Sequence, residues 1–447
     1  MQRQVIYVQS DIATELKNKL NTIISQMAEM PSLFVVHPDK DFTRNRTFTF
    51  EKTIKAILGM GGNSLQKELY DFFDGTDKYA TKSAFVQQRE KILYDAFEYV
   101  LHKFNEVCTD DKTYEGYYLY ACDGTTVNIA KNPNNKETYI DNNEREGFNQ
   151  YHVNTLYDLL NRTYADAIIQ GIRKMNEPQA VADMIDSLPL RGKTILIGDR
   201  GYGALNLMEH CNRKENLDFL FRVKEDWITE IKTLPMAEFD KEISFQIRIT
   251  QTNEDKIAYA NGEAKYMSGT SKFGKYKKSQ TWDFESPFDM TIRIVRVKLP
   301  NGNYETLATS LNRFEFPAEK LKELYNLRWG IETSYRELKY AIGLTNFHSR
   351  KDDSIKQEIF ASLIMYNLCE RITALAVVIQ SDNNKHTYQV NFTMAIYVCL
   401  QFYRNTDKSP PDVLTEIGRY VEPIRKGRAD KRKLKAKSVV NFIYRVA

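Results

Sequence analysis

Between Tyr117 and Val223 the hydrophobic period switches from two to helical and back, and that order restricts the fold more than any other feature. YYLYACDGTTVNI reads as a strand ending near Asp123. VNTLYDLL and YADAIIQ, separated by Asn161-Arg162-Thr163, read as a hairpin. The segment PQAVADMIDSL is helical, and the apolar strand TILIGD follows it and ends at Asp199. A helix starts at Leu205, and DFLFRVK is a further strand. Three strands able to pair as a meander, then helix-strand-helix-strand, specify an α/β core.

The flanks have a different character. Residues 1–110 read as helical. An apolar-periodic run covers Ile54 to Met60, Gly61-Gly62 makes a turn, and Asn63 or Ser64 caps the next helix, through Phe73. Another helix runs from Ser83 towards Phe104, with Phe85, Ile92, Phe97 and Leu101 at helical spacing. Both a helix-turn-helix module and an ordinary helical bundle fit this pattern. From 230 to 303 the strands ISFQIRITQ, TWDF and TIRIVRVKL surround a lysine-rich loop, a β-rich insertion in the core. TLATSL adds a short strand, and a long helical stretch runs from Ala318 to Gly343. The expected division is 1–110, a core in two parts (111–229 and 304–350) around the insertion 230–303, and a helical region 351–447 with a basic tail.

Composition narrows the class. With 42% hydrophobic and 27% charged residues among 447, the chain suits a folded, soluble protein. A net charge of +4 is too small to identify a partner by itself. Cys108, Cys122, Cys211, Cys369 and Cys399 are scattered, with no metal-ligand spacing, and read as buried thiols in a reducing compartment. The N-terminus has no unbroken apolar run, so no signal peptide is expected. EIFASLIMYNLCERITALAVVIQ is interrupted by Glu370 and Arg371 and reads as a core helix rather than a membrane span. A cytoplasmic location without a membrane partner is the expectation.

The stretch YNLRWGIETSYRELK carries the sharpest signal. With Tyr325 set at zero and roughly 100° per residue, Arg328 projects at about 300°, Glu332 at about 340° and Lys339 at about 320°. The four share an arc of roughly 60°, while Glu323 and Glu337 point to the far side at about 160° and about 120°. Leu321, Leu324, Leu327, Ile331 and Leu338 remain to anchor the helix. An ordinary i,i+4 ion pair between Arg328 and Glu332 would be worth only about 0.3–0.5 kcal/mol.

The spacing Tyr, two residues, Arg, three residues, Glu, six residues, Lys resembles the signature of the insertion-sequence-four family of DDE transposases. Trp329 and Ile331 also stand as that family has them. CDGT and GDRGY resemble its first and second catalytic motifs, and VVNFIYRVA its closing block. The resemblance runs from about residue 45 to the end and implies a catalytic core of ribonuclease-H-like type. It implies that Asp123, Asp199 and Glu332 hold two Mg²⁺ ions, with Mn²⁺ able to substitute, and cut DNA. It further implies terminal inverted repeats and target DNA as partners, a homodimer in the DNA complex, and association with the nucleoid when bound. Mg²⁺ prefers carboxylate oxygen and leaves positions open for phosphate and water, which suits in-line attack on a phosphodiester.

In this reading Tyr325, Arg328 and Lys339 contact phosphates beside the cleaved end, and Arg200 is a further contact unless it pairs with a neighbouring acid. Lys272 to Trp282 mixes lysines with aromatics, and Trp282 is a candidate for stacking on an unpaired base; a solvated loop with one buried tryptophan is the alternative. Gln88 and Arg89, on the helix after Ser83, are of the types that read adenine and guanine edges, although a surface helix looks similar. Residues 425–437 carry eight Lys/Arg against one Asp, a phosphate-neutralising tail or a solvated segment. Two other classes compete: a non-catalytic DNA-binding regulator descended from a transposase, and another nuclease on the same scaffold.

Overall fold

The computed structural model describes residues 2–424 except 45, 74, 76–80, 110, 143–144, 226, 270–280, 379, 381–385 and 405–411. The basic tail, the closing VVNFIYRVA block and most of the lysine-rich loop therefore lie outside the described residues.

Five helices come first: α1 (Gln2–Glu29), α2 (Phe50–Leu58), α3 (Leu65–Phe72), α4 (Lys82–Arg89) and α5 (Asp95–Val107). Thr49, Ser64 and Thr81 each cap a following helix by accepting a backbone N–H. The single helix expected from Ser83 towards Phe104 is two. Between them Val36 N donates to Lys91 O and Leu93 N to Phe34 O, both at 2.9 Å, so buried Ile92 sits in an extended bridge. Those long-range bonds override the helical spacing.

The core follows as β1 (Tyr118–Ile129), β2 (Tyr139–Asn142), β3 (Arg145–Asp158), β4 (Thr163–Gly171), α6 (Glu177–Ser187), β5 (Thr194–Gly198), α7 (Leu205–Arg213) and β6 (Leu217–Val223). Strands β1, β3 and β4 form the antiparallel meander, and β5 and β6 add parallel to β1. Strand β1 does not end near Asp123. It loses β5 after Cys122↔Gly198 but keeps pairing with β3 from Asp123↔Thr155 to Ile129↔Asn149.

The segment 230–303 contributes α8 (Thr229–Lys232), β7 (Phe239–Arg248), α9 (Asn253–Ala260), β8 (Ala264–Tyr266), β9 (Ser268–Gly269), β10 (Thr281–Trp282) and β11 (Phe288–Lys298). After β12 (Tyr304–Thr309), one ten-stranded sheet runs β2-β3-β1-β5-β6-β12-β11-β7-β8, with β4 also on β3. The strands of the insertion thus continue the core sheet, through β12 against β6 and β11 against β12.

Period-two alternation sorts the sheet's faces. Leu119, Ile195, Ile197 and Leu220 face α10 (Ala318–Leu327), packing with its Leu321, Leu324 and Tyr325. Tyr120, Cys122, Leu196 and Phe219 face α6 and α7. The long helix expected to run unbroken to Gly343 is segmented. A tightened turn, Arg328 N to Tyr325 O at 3.1 Å, separates α10 from α11 (Trp329–Glu337). A wider π turn over Leu338–Ile342 follows, ended by Gly343 at φ +99°. Leu327, expected to anchor this helix, is exposed, whereas Leu321, Leu324, Ile331 and Leu338 are buried.

Helix α12 (Asp352–Thr373) carries the interrupted apolar segment and is buried on most sides. Strand β13 (Tyr388–Val390), α13 (Phe392–Arg404), α14 (Val413–Arg419) and β14 (Val421–Pro423) complete the described chain. Helices α1, α2, α5, α13 and α14 pack on α12, so both flanks share one core. Among the described residues no helix is long and apolar enough to cross a membrane, and all five cysteines are buried and unbridged.

Candidate active site

The register of β1 on β5 places the first two motif carboxylates. Cys122↔Gly198 is the last shared pair, so Asp123 and Asp199 are each the next residue on neighbouring parallel strands. Asp123 pairs with Thr155, and Tyr335 of α11 hydrogen-bonds both residues, which sets the signature helix against this position. The Tyr335 hydroxyl donates to Asp123 O at 2.6 Å and accepts from Thr155 Oγ1 at 2.7 Å. Asp199 caps a short turn by accepting from Gly201 N at 2.8 Å.

Burial pushes the Asp123 carboxyl up to about 6, and the charges of Asp199 and Glu332 add to the rise; the Gly124 N–H and Arg328 oppose it. Asp199 and Glu332 therefore both lie near enough to act on Asp123. Arg328 is buried, donates from Nη2 to Glu332 Oε1 at 3.0 Å, and lies over the rings of Tyr325 and Trp329 at 5.7 and 5.3 Å. Its Nε is also buried and has no hydrogen-bond partner among the described residues. Burial lowers the Lys339 ammonium, and the Asp123 charge partly restores it. The tight turn and the π turn depart from the ideal wheel in opposite senses, and Glu332, Arg328 and Lys339 all still act on Asp123.

An all-oxygen donor set of half-buried carboxylates, with one arginine to offset their charge, fits hard divalent cations. Among the described residues, the one trio of Asp, Glu, His or Cys whose ligand atoms all lie within 4.8 Å is Glu98, His102 and Asp166, on α5 and β4. That trio is closed by His102 Nε2 against Asp166 Oδ1 at 2.8 Å and was not a sequence candidate. Asp123, Asp199 and Glu332 are spaced more widely. One Mg²⁺ with ligands at about 2.0–2.1 Å needs its oxygens within about 4.2 Å of one another.

Other candidates fall elsewhere. Arg200 is exposed on the turn after Asp199, and its charge reaches Glu305, which Arg222 already pairs at 3.1 Å. Tyr325 is buried beneath Arg328, and that burial pushes its hydroxyl up.

Arg89 is corrected: at 1% exposure it is closed by Gln357 Oε1, Glu358 Oε1 and Ser354 O at 3.2, 2.8 and 2.9 Å, so it reaches no base edge. Gln88 is corrected likewise, being buried with its Oε1 held by Lys91 Nζ at 3.2 Å. Trp282 is also corrected. It is 1% exposed, packs on Phe284 and Phe288, and donates from Nε1 to Glu285 O at 3.0 Å, leaving no ring face for a base.

Glu337 does point away from the carboxylates, but it is engaged by Arg162 and by the Tyr366 hydroxyl, beside Glu370. Three residues that sequence reasoning passed over surround the site. Tyr335 had a signal, one helical turn beyond Glu332. His152 and Glu177 had none, because only the pairing of β3 and the packing of α6 bring them near.

The family described as "Transposase DDE domain" matches residues 114–368, more than half of the chain. "Transposase InsG for insertion sequence element IS4" from Escherichia coli (strain K12) is 29% identical over 82 residues, 18% of this chain and 19% of that protein. The y4zB protein of Sinorhizobium fredii is 31% identical over 84 residues, 19% of this chain and 23% of that one. The matches thus span about a fifth of either curated relative. A solved synaptic complex of piggyBac transposase with hairpin DNA is 11% identical at a TM-score of 0.39, covering 92% of this chain and 82% of that chain. A likeness that low bears on neither fold nor site.

Proposed function

The chain belongs to the transposase DDE-domain family, and from that premise we propose that it binds the terminal inverted repeats of an insertion sequence and cuts and joins DNA. The observation that carries this reading is that Asp199 and Glu332 lie near enough to act on the Asp123 carboxyl, beside an arginine whose buried Nε has no partner among the described residues. We read the core as ribonuclease-H-like, a reading supported by the meander β1-β3-β4 with β5 and β6 parallel beside it. Its DNA complex is proposed to contain two copies of the chain, working in the cytoplasm on nucleoid DNA.

Asp123, Asp199 and Glu332 would hold two Mg²⁺, or Mn²⁺ in their place. The ions would supply activation of the attacking hydroxyl and neutralisation of the leaving oxygen. The chain's own part is to position. Tyr335 fixes the backbone at Asp123, and the Gly201 N–H fixes the Asp199 carboxylate. Arg328, through the Nε that has no partner among the described residues, and Lys339 seat the phosphates next to the cut. Intact carboxylates at all three positions argue against a non-catalytic regulator, and the Tyr-Arg-Glu-Lys helix argues against another nuclease of the same scaffold.

The test is cleavage of a duplex carrying the repeats that flank the coding sequence, across a Mg²⁺ series. D123A, D199A and E332Q should each lose on the order of 10²–10³-fold or more in rate with end binding retained. E337A, outside the carboxylate group, should keep its rate per folded molecule. Wild-type cleavage by any of the first three overturns the assignment.

A further inference from the structure

On the face of β1 opposite Asp123 lies a pair that the proposed chemistry leaves unused. His152 of β3 is 4% exposed, and its Nε2 stands 2.9 Å from Glu177 Oε1 at the start of α6. Neither ring nitrogen has an aligned hydrogen-bond partner among the described residues. The ring presses on the backbone that follows Asp123. A Cβ built on Gly124 would lie 2.1 Å from His152 Nε2 and 2.8 Å from Glu177 Oε1, so no side chain fits there. The second oxygen of Glu177 faces the other turn. A Cβ on Gly201 would lie 3.5 Å from Glu177 Oε2 and 3.1 Å from Asp199 Oδ1. One carboxylate therefore reaches from the Asp123-Gly124 backbone to the cap of Asp199.

We propose that His152 and Glu177 are positioning residues that set the spacing of Asp123 and Asp199 by bracing Gly124 and the Asp199–Gly201 turn from behind. A brace is needed because the β1–β5 ladder stops at Cys122↔Gly198, one residue short of both carboxylates. Beyond that point the ladder no longer holds them together, while their like charges push them apart. Helix α6 packs against β1, β3 and the turn after Asp199, and so connects all three. A misplacement of about 1 Å costs about 10²-fold in rate where geometry limits the reaction. Loss of a supporting partner behind a metal ligand typically weakens metal binding about 10–100-fold.

The proposal rests on Asp123 and Asp199 being metal ligands, and the experiment separates the two ideas. Mn²⁺ affinity, read from the electron paramagnetic resonance of free Mn²⁺, is measured beside melting temperature, end binding and cleavage for D123A, E177A, E177Q, E177D and H152A. E177A and H152A should bind Mn²⁺ about tenfold more weakly, with near-wild-type melting and end binding. E177Q keeps the oxygen facing His152 and should recover most of that affinity. E177D draws the oxygens away from both turns and should not, and it decides the question if E177A fails to fold. Wild-type Mn²⁺ affinity in E177D and H152A overturns the brace. Equal loss in E177Q and E177A also overturns it, because Glu177 would then act by charge. Full Mn²⁺ binding and cleavage by D123A would instead sink the ligand assignment beneath both.

Discussion

Two buried arginines, Arg89 and Arg328, looked alike in the sequence, each a basic residue on a helix set against DNA. In the fold they differ in what their guanidinium groups have left to give. Arg89 donates from Nε, Nη1 and Nη2 to three acceptors on α12, one of them the Glu358 carboxylate, itself close to His348. Arg328 bonds Glu332, whose side chain is 36% exposed, lies against Tyr325, and keeps a buried Nε with no partner among the described residues. Leaving a buried donor unmet costs roughly 1–3 kcal/mol, a cost that persists where a ligand later meets it. A saturated arginine holds helices together, whereas one with a donor to spare beside three carboxylates suits the phosphate contact proposed for it.

The comparison breaks most visibly at Arg89. R89A should strand Glu358 in the core and cost about 3–5 kcal/mol, read as a large fall in denaturation midpoint. Relaxed base preference in a fully stable R89A protein would restore it to DNA reading.

Asp123 gives the next effect. Its carboxyl is pushed up to about 6 from 3.8, so the fold holds this proton more tightly than the unfolded chain does. That contribution favours the folded state below about pH 4 and is lost as pH rises through about 6. Without metal, D123N should therefore be more stable than wild type at pH 8, by roughly 3 kcal/mol, and the gap should close towards pH 4. Parallel melting curves from pH 4 to 8 would show that Arg328 already neutralises the site if no gap opens.

The smallest effect is on Arg328 itself. R328A should bind precut ends about tenfold more weakly, or roughly 1.4 kcal/mol, with a flatter salt dependence because fewer counterions are released. Unchanged affinity and salt slope would return Arg328 to a structural ion pair.

Much of the site was legible because its parts sit on regular elements. Asp199 follows an apolar strand, and a fixed angle per residue put Glu332, Arg328 and Lys339 on one side of a helix and Glu337 on the other. Other readings failed where distant partners decide. Gln88, Arg89 and Trp282 were placed at DNA by residue type, yet α12 closes over Arg89 and two phenylalanines cover Trp282. The helix expected across Ile92 breaks because Phe34 and Val36, far back in the chain, take its backbone groups.

Residue order by itself determined which stretches are helix or strand and which faces they bury, though not where each one breaks, since periods of 2 and 3.6 are local properties of the backbone. It therefore determined that Asp123 ends the apolar run of β1 and that Glu332 shares a helical face with Arg328. Tertiary structure alone decided which polar side chains are spent and which are spare. Exposure and hydrogen-bond saturation depend on neighbours hundreds of positions away, as Gln357 and Glu358 are from Arg89. It alone also set Glu177 between Gly124 and Gly201, because that placement requires a strand register and a helix packing that no single segment encodes.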